Sequence, residues 1–159
     1  MTRRNLLASA AAFLGAAAAA FPYGRARAAA PTYEVTYTDA EWKRRLSPEA
    51  YYVLREHGTE IAFSSDLNHE TAAGTYECAG CFLPVFSSTT KFDSGTGWPS
   101  FWSPLPDAVL QSPNGSAFFG IEVHCRRCGS HLGHVFNDGP KPTGLRYCIN
   151  GVALKFVPK

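Results

Sequence analysis

Two C-x-x-C pairs constrain this chain more than any other feature: Cys78-Ala79-Gly80-Cys81 and Cys125-Arg126-Arg127-Cys128. A two-residue gap brings both sulfurs of a pair to one side of a tight turn, and Gly80 and Gly129 are placed to allow such a turn. Two pairs supply the four-thiolate set of a structural zinc site. The 43 residues from 82 to 124 lie between the pairs, against about 15–20 in a simple zinc ribbon. One ion would then clip two distant parts of one domain and remove disorder from the unfolded chain. Two structural disulfides are the alternative in an exported protein. Phe82 and Gly129, not His, follow the pairs, which excludes c-type haem attachment, and no βαβ pattern supports a thioredoxin-like redox pair. A Cys-Cys-His-His site with His131 and His134 would have the wrong gap and would orphan Cys78 and Cys81.

The N-terminus has a different character. Residues 1–30 hold Arg3 and Arg4, an apolar run from Leu6 to Phe21, and small residues at the exit. That is the layout of a secretory signal, with a retained anchor as the alternative. The run is short and Ala-rich for a permanent span. Arg3-Arg4 followed by Asn5-Leu6-Leu7 resembles a twin-arginine export signal. Residues 1–28 are therefore expected to be removed, with the cut between 28 and 30, leaving one domain over 31–159 in a periplasmic or exported location. The formal charge of +2 comes from this segment. Without its four arginines, 11 basic face 13 acidic side chains, a net of −2. No basic patch argues for nucleic acid, and no stable membrane association is expected after cleavage.

The body reads as α+β, mainly β. Thr38-Asp39-Ala40-Glu41 has capping-box spacing, and Ser47-Pro48-Glu49 opens a second short helix that Gly58 should stop. Beyond residue 72, short apolar runs alternate with Gly, Pro, Ser and Asn. They predict strands over Gly74–Cys78, Phe82–Phe86, Ala117–Cys125, His131–Phe136, Leu145–Asn150 and Val152–Val157.

A fifth cysteine, Cys148, has no partner in this count. Strand alternation puts Leu145, Tyr147 and Ile149 on one face and Arg146, Cys148 and Asn150 on the other. A thiol sharing its face with a cation and an amide differs from the usual buried, inert cysteine, although that reading stays open. Arg146 is placed to stabilise the thiolate. His131 and His134, with Phe136 on the His134 side, offer acid/base groups. Trp98, beyond the bends at Gly95 and Gly97, can wall an apolar pocket or simply fill core.

Together Y-E-C-A-G-C, K-F-D-S-G-T-G-W-P-S-F, E-V-H-C-R-R-C-G-S-H-L-G-H-V-F-N-D-G-P and L-R-Y-C-I-N resemble, in order, the B-type methionine sulfoxide reductases. The resemblance covers about residues 36–157. It implies two antiparallel sheets with short peripheral helices and one structural zinc at Cys78, Cys81, Cys125 and Cys128. It implies Cys148 as nucleophile, with His131, His134 and Asn150 holding and protonating the sulfoxide oxygen of the R epimer. Arg146 would support the thiolate, and Trp98 and Phe136 would pack on the substrate methyl. Thr96 stands where many relatives carry a resolving cysteine, so the expected cycle uses one cysteine. Its sulfenic acid would be reduced by an external, thioredoxin-like thiol. Oxidised proteins or peptides are the expected substrates, and a monomer the expected form.

Overall fold

The computed structural model describes residues 32–112 and 120–159. The expected signal segment lies outside the described residues.

Two helices lead the domain. Helix α1 (Asp39–Arg45) opens on the expected capping box: Thr38 Oγ1 accepts from Glu41 N–H, and the Thr38 N–H donates to the Glu41 carboxylate. Helix α2 (Pro48–Glu56) opens on Ser47, whose hydroxyl accepts from Ala50 N–H, with Pro48 in the first turn where its missing N–H costs nothing. The residue that ends α2 in the left-handed conformation is His57 (φ 58°), not Gly58. Gly58 is needed for room instead: a Cβ there would run into the Tyr52 ring.

Among the described residues nine strands follow, in two antiparallel sheets. They are β1 (Gly74–Cys78), β2 (Pro84–Ser87), β3 (Lys91–Phe92), β4 (Ser100–Phe101), β5 (Val109–Gln111), β6 (Ile121–Cys125), β7 (His131–Phe136), β8 (Arg146–Ile149) and β9 (Leu154–Pro158). The smaller sheet has the order β2-β1-β9 and the larger β3-β4-β8-β7-β6-β5. The fold is therefore α+β, mainly β, as the turn-rich pattern predicts. Among the described residues no helix is long and apolar enough to cross a membrane.

Several strands are shorter than their apolar runs. Phe82 is left-handed (φ 59°) and its N–H closes the first C-x-x-C turn onto the Cys78 carbonyl, so β2 starts at Pro84. Gly129 (φ 69°) does the same onto Cys125. Gly80 is thus not the flexible residue of its turn. It leaves space instead, since a Cβ there would meet Ser130 Oγ at 3.0 Å and Leu54 at 3.2 Å. Gly151–Ala153 forms a 3-10 turn, delaying β9 to Leu154. Ala117–Phe119, the start of another expected strand, lies outside the described residues.

The sheets meet through aromatic rings. Tyr76 and Phe86 come from the small sheet, Phe101 and Tyr147 from the large one. Phe86 stacks on Phe101 at 4.4 Å, Tyr76 meets Phe101 edge-on at 4.9 Å, and Phe86 contacts Tyr147 at 5.9 Å. All four are buried, and such pairs add about 0.5–1.5 kcal/mol each beyond the area they bury. Tyr147 and Ile149 anchor β8 inward, which turns Cys148 to the opposite face.

Candidate active site

The four paired cysteines converge at the ends of strands. Cys78 closes β1 and Cys125 closes β6, and each chain then makes the tight turn that supplies the second thiol. The Sγ atoms of Cys78 and Cys128 lie 3.8 Å apart, those of Cys81 and Cys125 3.5 Å apart, and all four fall within 4.8 Å of one another. No two of them are bonded as a disulfide. A tetrahedron with Zn–S bonds of about 2.3 Å has sulfur–sulfur edges of about 3.8 Å. The cluster therefore fits a four-thiolate metal site, and fits paired disulfides poorly. Three of the cysteines are buried and Cys81 is partly so. The Cys128 carbonyl accepts from Arg55 and that of Cys81 from Arg127.

Cys148 is elsewhere, on β8 in the middle of the large sheet, opposite Ser100 of β4 on one side and His134 of β7 on the other. It borders a small cavity of about 150 Å³ together with Thr59, Trp98, Gly133, His134, Phe136 and Asn150. That is room for about five water volumes of ~30 Å³ each. Gly133 makes the floor possible. A Cβ there would collide with the Cys148 carbonyl and sit 2.9 Å from Ile149 Cα. A larger cavity of about 720 Å³, near Tyr52, Ile61 and Leu67, has no cysteine or histidine in its wall.

Burial pushes the Cys148 thiol up, opposed by the Thr96 hydroxyl and by Arg146. Thr96 Oγ1 lies 3.9 Å from Cys148 Sγ. Behind it runs a chain of hydroxyls, Thr96 to Ser94 at 2.8 Å and Ser94 to Ser100 at 2.8 Å, ending where Ser100 donates to the Trp98 carbonyl. Either atom of the Thr96–Cys148 contact can be the donor, and a Thr96 hydroxyl turned toward the sulfur stabilises the thiolate.

Arg146 is shared. It donates twice to the Asp138 carboxylate, at 2.9 and 2.8 Å, and its guanidinium lies 4.4 Å from the Phe136 ring centre. The Asp138 hydrogen bond raises its already high pKa, so its charge is constant. Its help to the Cys148 thiolate does not outweigh burial.

The two histidines are held differently. His131 is buried, and its Nδ1 lies 2.9 Å from Glu122 Oε1. Its Nε2 is buried without a partner. Burial pushes His131 down, opposed by the Glu122 hydrogen bond. Glu122 feels burial upward, but hydrogen bonds from Ser112 and His131 win and hold it at about 2. It is an anion, so His131 presents a proton on Nδ1, and only its doubly protonated form also carries one on Nε2. His134 lies 5.2 Å from His131 ring to ring and 6.5 Å from Phe136, and burial lowers its pKa. The structure thus brings Cys148, His134, Asn150, Trp98 and Phe136 to one cavity and sets His131 just behind His134.

Asn150 is 3% exposed. Its Oδ1 accepts from Glu60 N–H and its Nδ2 donates to the Leu132 carbonyl, both at 3.0 Å, leaving one amide hydrogen for a ligand.

The family model described as the SelR domain matches residues 46–158. The chain belongs to the SelR domain family. It is 52% identical over 126 residues to the peptide methionine sulfoxide reductase MsrB of Leptospira interrogans, covering 78% of this chain and 96% of that protein. It is 53% identical over 124 residues to the protein of that name from Thiobacillus denitrificans (77% and 94%), and 52% over 124 residues to that from Methanosarcina barkeri (77% and 87%).

Two acids of this SelR chain escaped the sequence reading. Glu122 opens the E-V-H-C-R-R-C segment, but a lone charge inside a strand run suggests no role of its own. Glu60 sits in a loop with no periodicity. Yet its carboxylate accepts from Gly151 N–H at 2.6 Å and Val152 N–H at 2.8 Å, and its N–H donates to Asn150. Its carbonyl accepts from the Trp98 indole at 3.2 Å. One loop residue thus fixes two cavity residues and the 3-10 turn beside them.

Proposed function

We propose that this chain reduces methionine-R-sulfoxide, chiefly in oxidised proteins and peptides, through attack by the Cys148 thiolate. The observation that carries the reading is one unpaired thiol at a small, largely apolar cavity with imidazole and carboxamide groups beside it. The relatives named as peptide methionine sulfoxide reductases support the same activity.

The residues suit the chemistry. Trp98 and Phe136 receive the methyl end of the side chain. Asn150, with its spare amide hydrogen, and His134 direct donors at the sulfoxide oxygen. His131, in the doubly protonated form that the Glu122 anion balances, supplies a proton from Nε2. Protonation makes the sulfoxide sulfur electrophilic. The Cys148 sulfur attacks, the S–O bond to substrate breaks, and the oxygen ends on Cys148 as a sulfenic acid while methionine leaves reduced. General acid help of this kind contributes about 10²–10⁴-fold.

Thr96 has no thiol to offer, so an external thiol, such as a thioredoxin-like dithiol, completes the cycle. Its first sulfur displaces water from the sulfenic acid, and its second releases Cys148 as that reductant becomes a disulfide. One structural zinc at Cys78, Cys81, Cys125 and Cys128 clamps the fold and takes no part in the reaction.

The location of the work follows from residues 1–28, read as a cleaved twin-arginine signal ahead of a single domain over 31–159. The enzyme then acts as a monomer in the periplasm or outside the cell, repairing exported proteins. Export should fail in an Arg3→Lys/Arg4→Lys double variant, and undiminished secretion would remove the twin-arginine route. The activity is tested with separate R and S sulfoxide peptides and dithiothreitol: the R peptide should be consumed and the S peptide left.

A further inference from the structure

Behind the cavity, three side chains from three elements converge without any role in the four-cysteine cluster. His57 comes from the end of α2, Glu122 from β6 and His131 from β7. Glu122 Oε1 lies 2.8 Å from His57 Nδ1 and 2.9 Å from His131 Nδ1, and the two imidazole rings are 5.4 Å apart. One ligand atom from each falls within 4.8 Å of the others. The second carboxylate oxygen is fixed by the Ser112 hydroxyl at 2.7 Å.

We propose that His57, Glu122 and His131 form a second divalent-metal site, which takes one zinc-like ion and holds the enzyme inactive while it is bound. Two imidazoles and a carboxylate are a donor set that borderline ions such as Zn²⁺ or Cu²⁺ accept, with a fourth position left to water. Bonds of about 2.1 Å place neighbouring ligand atoms about 3.0–3.4 Å apart. The two spacings to Glu122 Oε1, 2.8 and 2.9 Å, need to open by only a few tenths of an ångström. His57 can make that movement, because its side chain is 64% exposed whereas that of His131 is 2% exposed. A ligand set with one exposed arm gives the ion a way in, and the preformed pair Glu122–His131 gives it a rigid seat.

The consequence for the reaction is direct. Binding puts the ion on His131 Nδ1 and leaves the ring's one hydrogen on Nε2. That metal-bound neutral ring is a far weaker acid than the imidazolium, because giving up its hydrogen would leave an imidazolate, so proton transfer to the sulfoxide oxygen is suppressed and metal excess would silence the repair enzyme without disturbing its fold.

The test is calorimetric titration of Zn²⁺ into the one-zinc protein carrying Cys148→Ser, which removes the competing thiol. One further equivalent should bind. Loss of even an outer-shell partner typically costs about 10–100-fold in metal affinity, so His57→Ala should cost no less, with the first zinc retained. In wild-type protein, Zn²⁺ should inhibit sulfoxide reduction, and His57→Ala should raise the zinc concentration for half inhibition by a similar factor. Absence of a second equivalent, or one whose affinity is unchanged in His57→Ala, overturns the site. If zinc binds as predicted and turnover is unaffected, the inhibitory role is overturned. The titration reads binding alone, so it stands or falls separately from the sulfoxide assignment.

Discussion

Replacing Glu60 with alanine should damage both the stability and the catalysis of this domain, although Glu60 does not border the cavity beside Cys148. Its carboxylate accepts from the N–H groups of Gly151 and Val152. Hydrogen bonds to a charged group contribute about 1.5–3 kcal/mol each. Two of them total about 3–6 kcal/mol. Glu60 is only partly buried, so water reaches the freed amides and the expected loss falls to about 2–4 kcal/mol. For a domain of this size, 1 kcal/mol shifts Tm by about 4 °C, so Tm should fall by roughly 8–16 °C. The Glu60 main chain also receives the Trp98 indole and donates to Asn150. When the loop loosens, both cavity residues lose their positions, and kcat/KM for a sulfoxide peptide should drop by about tenfold or more even well below Tm. Glu60→Gln separates the effects. It keeps one acceptor but turns an amide NH₂ toward a backbone N–H, so its Tm should fall between wild type and Glu60→Ala. Calorimetry and steady-state kinetics on the two variants decide the matter. A Glu60→Ala protein melting within 2 °C of wild type, a shift of about 0.5 kcal/mol, would refute the bracing argument.

Three further outcomes are expected. Thr96→Val removes a hydroxyl that stabilises the Cys148 thiolate, so the midpoint of a pH–alkylation profile should move upward from its already raised position; an unchanged or lower midpoint would contradict the geometry. Stripping metal with a chelator opens a clamp across the 43 residues between the C-x-x-C pairs, worth about 4 kcal/mol by loop entropy if it is treated as a crosslink. Metal analysis should find one zinc per chain before treatment, and urea unfolding should show the loss after it. Gly133→Ala forces a Cβ into the Cys148 carbonyl, so the β7–β8 pairing should open, with turnover and Tm both reduced; a folded, fully active variant would show that the strands have slack.

The parts of the molecule that repeat a simple rule could be read from the residues. The capping box at Thr38 and Glu41, the Ser47-Pro48 helix start, and strands such as Gly74–Cys78 and His131–Phe136 rest on local hydrogen-bond chemistry and apolar period. The convergence of four thiols was legible because a C-x-x-C pair carries its geometry with it. What could not be read depends on long-range contact or leaves no local pattern. The turn at Gly151–Ala153 exists because Glu60, 91 residues earlier, captures its amides. Phe82 takes a left-handed conformation that a side chain of its kind rarely adopts, because its N–H completes the knuckle. Strands β3, β4 and β5 are two or three residues long, too short to leave a period. Alternation did place Cys148 away from Tyr147 and Ile149. It did not show that burial would raise the thiol against Arg146, which is also engaged by Asp138.

The most direct test follows Cys148 itself through one turnover. Zinc-loaded protein is mixed with one equivalent of a methionine-R-sulfoxide peptide without reductant, and intact and digested chains are weighed by mass spectrometry alongside Cys148→Ser. Cys148 should gain one oxygen, trapped by a sulfenic-acid reagent, with one methionine released and the Cys148→Ser protein inert yet still holding its zinc. Turnover by Cys148→Ser, or a disulfide joining Cys148 to one of the four clustered cysteines, would contradict that chemistry.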